Sequence, residues 1–110
     1  MPRVAGLDVQ AMRLAATKAT ALLKTLANPD RLILLCQLSL GEHCVSELED
    51  LLGIQQPTLS QQLAVLREAG AVSTRREGKQ IFYSIAGKEA SAVIQVLYQH
   101  YCTPGTGGKK

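Results

Sequence analysis

Three thiols carry the most reactive side-chain chemistry in this 110-residue sequence. Cys36 interrupts the aliphatic run "RLILLCQL", Cys44 lies in "GEHCVSELE", and Cys102 ends "LYQHYC". Three kinds of chemistry fit these placements. Cysteine packs as a small hydrophobe, which suits Cys36 among leucines and suits Cys102, beside a Gly-rich tail, much less well. Thiolate and imidazole together bind soft or borderline ions, and His43 beside Cys44 is the candidate pair; His100 and Cys102 lie near each other, with Glu89 more than two turns away. A third arrangement is a dithiol of Cys36 and Cys102, in which one thiolate attacks an oxidised or sulfane sulfur and the other resolves the intermediate. A direct disulfide needs Cα atoms about 4.4–6.8 Å apart, and a polysulfide bridge tolerates a wider gap. The count of three, in a chain whose first ten residues lack the apolar centre of an export signal, argues against a structural disulfide framework.

Helices must position these thiols. Residues 8 to 27 place Met12, Ala15, Ala16, Ala19, Leu22, Leu23 and Leu26 at helical spacing behind a capping Asp8. Asn28-Pro29 breaks that helix and starts another, about Pro29 to Leu40, apolar over much of its circumference and closed by Gly41. A short third helix, about Val45 to Leu52, is expected to use Ser46 as its cap and to bury Leu48, Leu51 and Leu52. After Gly53-Ile54-Gln55, Pro57 opens a fourth helix that runs to Gly70 with Leu59, Leu63 and Leu66 inward. The period then changes to two: Val72 and Thr74, then Ile81, Tyr83 and Ile85, flank a turn at Glu77-Gly78-Lys79. A last helix, about Gly87 to Cys102, sets Val93, Ile94, Leu97, Tyr98 and Tyr101 on one side. Residues 1–102 read as one domain, and 103–110, "TPGTGGKK", as a disordered tail.

The short helix, tight turn and following helix make a helix-turn-helix, whose second helix enters the DNA major groove. Its N-terminal half offers Gln56, Thr58, Ser60, Gln61 and Gln62, which can hydrogen-bond base edges or phosphates and include no carboxylate. The hairpin adds Arg75, Arg76 and Lys79 where a phosphate backbone would pass. A basic hairpin after a helix-turn-helix is a winged helix. The fold expectation is therefore mainly α with one β-hairpin, and the partner expected is double-stranded DNA.

The stretches "LLKTLANPDRLILL", "VSELEDLLGIQQPTLSQQLAVLREAG" and "RREGKQIFYSI" resemble the ArsR/SmtB family of bacterial transcriptional repressors over roughly residues 15 to 102. The resemblance implies a homodimer joined through the first and last helices, which occupies an operator and leaves it when an inducer is sensed. Family members that sense arsenite or cadmium carry Cys-Val-Cys at the start of the third helix; here the residues are Cys44-Val45-Ser46. "GIQQPTLSQQLAVLREAG" and "KQIFY" are similar to the persulfide- and redox-responsive branch of BigR and SqrR regulators. That likeness implies that Cys36 and Cys102 are the sensing pair, bridged by a disulfide or a longer sulfur chain, with persulfide, polysulfide or an oxidant as inducer. His43 and Cys44 stand as the alternative, metal- or metalloid-responsive site. No other cofactor is implied.

Composition agrees with this class. A chain that is 46% hydrophobic and 19% charged, with net charge +3, is an ordinary globular protein that tolerates a polyanionic partner. At this length only about two thirds of the unfolded surface is buried, so a core shared between subunits is a common remedy. The acidic residues between Glu42 and Asp50 read as a solvated helix face. No run approaches the ~20 apolar residues of a membrane helix, and the expected location is the cytoplasm. A Ser-His-Asp set, a Gly-rich phosphate loop and a paired-carboxylate motif are all missing, so no enzyme is expected.

Overall fold

In the computed structural model, which describes residues 8–102, the first two helices each begin where a side chain can satisfy a free N–H group. Helix α1, Val9–Leu26, starts at Asp8, whose Oδ1 accepts from the Ala11 N–H at 2.7 Å. Helix α2, Pro29–Ser39, starts at Asn28, whose Oδ1 accepts from the Arg31 N–H at 3.0 Å, with Pro29 in the first helical position. Both of these caps are the ones expected. The expected tail, 103–110, lies outside the described residues.

Several features differ from expectation. His43–Cys44 forms a short strand, β1, ahead of helix α3, Val45–Leu52. It makes Cys44, not Ser46, the residue before the helix: the Cys44 N–H donates to the Glu47 carboxylate at 3.1 Å. A strand leading into the helix fixes the entry residue, and Ser46 is already inside the first turn. Leu51, expected in the core, is 55% exposed, because Leu48 and Leu52 face inward. Gly53 ends α3 with φ of 71°, a backbone angle open to glycine. Helix α4, Thr58–Glu68, follows, and its first backbone bond reaches back from Leu59 to Gln55.

The hairpin is as expected, with strands β2, Val72–Glu77, and β3, Gln80–Ile85, joined at Gly78-Lys79. The wing has three strands rather than two. β1 pairs antiparallel with β3, placing His43 opposite Tyr83 and Cys44 opposite Phe82, in the order β1-β3-β2. Helix α5 spans Lys88–Leu97, and Tyr98–Cys102 continues as one π-helical turn, so the last helix changes its winding just before Cys102.

The core is aliphatic. Leu34 and Leu35 of α2 meet Leu48 of α3, Leu59, Leu63 and Leu66 of α4, and Ile94 of α5, all essentially without solvent contact. α2 is central, as its apolar circumference implies. α1 is not enclosed: of its 18 residues only Leu26 is buried. Among the described residues no helix is long and apolar enough to cross a membrane.

Candidate nucleic-acid interface and thiol pocket

The inward stripe of Leu59, Leu63 and Leu66 orients α4 so that Thr58, Ser60 and Gln61 face solvent. Gln56, in the turn before it, is also exposed and accepts a short hydrogen bond from the Ser60 hydroxyl. Gln62 behaves differently. It is half-buried, and its Oε1 accepts from Arg31 Nη1 at 2.9 Å. Arg31 also donates to the Thr25 carbonyl at 2.6 Å and to the Lys24 carbonyl at 3.4 Å. One guanidinium thus ties the end of α1, the start of α2 and the flank of α4. Sequence reasoning missed Arg31, because its Gln62 partner lies 31 residues away.

On the wing, Arg75, Arg76 and Lys79 are all exposed. Arg75 is already paired. Its Nε and Nη2 donate to the two Glu42 carboxylate oxygens at 2.7 and 2.9 Å, its Nη1 to Glu77 at 3.1 Å, and its guanidinium lies 4.9 Å from the Phe82 ring centre. These hydrogen bonds hold Arg75 more firmly protonated than usual, and the Arg75 bond pulls the Glu42 carboxyl below its ordinary range. Glu42 is therefore a wing partner reaching across from the loop after α2, not part of a solvated helix face. Arg76 and Lys79 have no ion pair among the described residues.

The thiols separate into two environments. Cys44 is 5% exposed, and its neighbour His43 points to the opposite side of the strand, as alternation requires. Gln37 Nε2 lies 3.2 Å from His43 Nε2, and His43 Nδ1 lies 3.3 Å from Glu47. Since an amide nitrogen donates, His43 accepts at Nε2 and donates from Nδ1 to Glu47. Both ring nitrogens are thereby engaged. The Glu47 carboxyl is held below its ordinary range, first by the Cys44 N–H and then by His43. Among the described residues, no three His, Cys, Asp or Glu side chains gather as metal ligands would.

Cys36 and Cys102, more than half the chain apart, line one cavity of about 380 Å³ between α2 and the end of α5. Leu32, Ile33, Leu40, Leu52, Leu97, Tyr98 and Tyr101 form its walls, with Gln37. Cys36 is half-buried and Cys102 exposed, and both are free thiols. Burial raises the Cys36 thiol above its ordinary value of 9.0; Cys102 adds to the rise as a neighbouring charge and as a hydrogen-bonding side chain. Tyr101, expected to pack inward, is 77% exposed and stands at the cavity rim.

Residues 28–74 match the family described as "Bacterial regulatory protein, arsR family". A biofilm growth-associated repressor of Agrobacterium fabrum is 54% identical over 101 residues, covering 92% of this chain and 86% of the relative. The solved structure of the transcriptional repressor BigR from Xylella fastidiosa superposes with a TM-score of 0.78 at 48% identity, covering 88% of this chain and 99% of that one. Reduced HlyU from Vibrio cholerae superposes with a TM-score of 0.83 at 42% identity, covering 86% of this chain and all of the other, 100%. The winged helix-turn-helix fold is thus shared along nearly the whole chain, and the protein belongs to the ArsR family of DNA-binding transcriptional regulators, not to a family of enzymes.

Proposed function

We propose that this regulator is a homodimeric repressor that releases its operator when Cys36 and Cys102 become bridged, by reactive sulfur or by oxidation. The observation that carries the reading is the shared cavity: two thiols remote in sequence line one small space. The repressor names of the Agrobacterium and Xylella relatives favour repression, and the reduced state specified for HlyU is consistent with a thiol state that matters in such folds. Gln56, Thr58, Ser60 and Gln61 are proposed to meet DNA in the major groove, with Gln62 buttressing the helix, while Arg76 and Lys79 contact phosphate and Arg75 shapes the wing. The exposed apolar side of α1 and the outer side of α5 are proposed to form the dimer, setting two α4 helices for half-sites about one DNA turn apart.

The cavity has two physical routes to the DNA-binding elements. Gln37 on its wall hydrogen-bonds His43, which holds Glu47 at the start of α3. The end of α2 runs through Leu40 and Gly41 to Glu42, which grips Arg75 on the wing. A sulfur bridge that pulls α2 toward α5 displaces both.

The test combines mass spectrometry with a gel shift on the chain's own upstream DNA. Persulfide treatment is expected to give a Cys36–Cys102 link and to release the DNA. The Cys36→Ser/Cys102→Ser protein should stay bound, and Cys44→Ser should still release. Unmodified thiols in the native chain, or equal release of the double variant, would remove the basis for the reading.

A further inference from the structure

We propose that the cavity between α2 and α5 is a binding site for uncharged, apolar organic polysulfanes, so that the sensor selects its sulfur donor by the organic group as well as by the sulfur. This deepens the dithiol reading and rests on it. Apart from the two thiols and Gln37, the lining is hydrocarbon and phenol, including Leu32, Leu52 and Leu97, and no lining residue is charged. A carboxylated or ammonium-bearing donor entering here leaves water and meets no counter-charge, whereas an alkyl or benzyl group replaces water against apolar walls. The volume of about 380 Å³ falls within the roughly 300–1,000 Å³ of small-molecule pockets and exceeds what a pair of thiols alone requires. Tyr101 and Cys102 stand exposed at the mouth, and Cys36 is deeper.

The chemistry balances with a dialkyl trisulfide, R–S–S–S–R. The Cys102 thiolate attacks the central sulfur, forming Cys102–S–S–S–R and expelling RS⁻, which takes up a proton. Cys36, losing its proton, attacks that same transferred sulfur and expels the second RS⁻, again protonated. The products are Cys36–S–S–S–Cys102 and two RSH. The two cysteines are oxidised, and the trisulfide is reduced to two thiols.

Dibenzyl trisulfide and a trisulfide with two carboxyethyl groups form the test pair. The rate of Cys36–Cys102 bridging in the reduced full-length protein is followed by mass spectrometry. Each rate is divided by that of the same reagent with the urea-unfolded chain, which removes intrinsic reactivity. The benzyl reagent is expected to be favoured about tenfold or more. Ile33→Lys, at a wall position that is 44% exposed and so tolerant of change, should narrow that preference by at least half by offering the carboxylates a partner. Equal normalised rates for both reagents overturn the selectivity while leaving the dithiol switch intact. Failure of either reagent, and of inorganic polysulfide, to bridge the pair overturns the switch itself.

Discussion

Glu42 and Arg75 meet through two parallel hydrogen bonds, 2.7 and 2.9 Å long, that join the loop after α2 to the wing. With Glu77 as a third member, the cluster holds one positive and two negative groups. A phosphate approaching Arg75 therefore meets no spare cation. Arg75→Ala is expected to lower operator affinity less than Lys79→Ala, which should also reduce the slope of log affinity against log salt by about 1 per protomer. Glu42→Gln should tighten DNA binding at low salt, because it releases Arg75. Gel shifts over a salt series decide this, and a larger loss for Arg75→Ala than for Lys79→Ala would make Arg75 a direct phosphate ligand after all.

The Arg31–Gln62 bond makes a different forecast. Arg31 holds α4 by its flank and does not lie on the outer polar face. Arg31→Ala removes its bonds to two α1 carbonyls as well, and hydrogen bonds of this charged type contribute about 1.5–3 kcal/mol each at most. Stability should fall by an amount of that order. The ratio of specific to nonspecific DNA affinity should fall too, with the salt slope unchanged, since phosphate contacts are untouched. Gln62→Leu should reproduce the loss of specificity with a smaller loss of stability. Specificity unaltered in both variants would show that α4 is held by its leucines alone.

Thiol reactivity supplies a pH dependence. Burial and the neighbouring Cys102 raise the Cys36 thiol above 9.0, so the folded chain keeps that proton at alkaline pH where an unfolded chain loses it. The sign follows: stability from this group is present below the unfolded value and is lost as pH rises through the raised folded value. At neutral pH, iodoacetamide should label exposed Cys102 before half-buried Cys36, and the Cys36 rate should climb with pH and level off only above 9.0. In Cys102→Ser the Cys36 profile should shift back partway, not fully, because burial is the larger cause and remains. Peptide mapping after timed alkylation measures this; Cys36 labelled first at neutral pH would reverse the assigned order of attack.

Local rules made much of this legible. Asp8 and Asn28 cap, the leucines of α4 face inward, and Gly78 turns the hairpin with φ of 62°, each decided by a few adjacent residues. What escaped depended on residues distant in sequence. A strand as short as His43–Cys44 has no period of its own and exists because β3 offers an edge. The Glu42–Arg75 and Arg31–Gln62 bonds leave no local mark. Leu51 and Tyr101 are apolar or aromatic at helical spacing, yet exposed, because spacing defines a face and not what covers it. The pairing of Cys36 with Cys102 is what the family resemblance implies; the cavity that both line depends on how α2 packs against the end of α5.

The open side of α1 tests the proposed assembly. Met12 and Leu23 lie on the stripe read from the sequence, and both are exposed in the single chain, Leu23 at 56%. An exposed substitution normally changes fold stability by no more than about 0.5 kcal/mol. Leu23→Glu should therefore leave the circular dichroism and melting of the protomer nearly unchanged. If α1 meets its twofold mate through this stripe, the new carboxylate is buried against apolar side chains and faces its own symmetry copy, which disfavours association twice over. Sedimentation should show a dimer for the native chain and a monomer for Leu23→Glu. Operator binding should weaken strongly, since two half-sites are no longer engaged by one molecule. A Leu23→Glu protein that remains dimeric would move the interface off α1 and leave the exposure of that helix to be covered by something else.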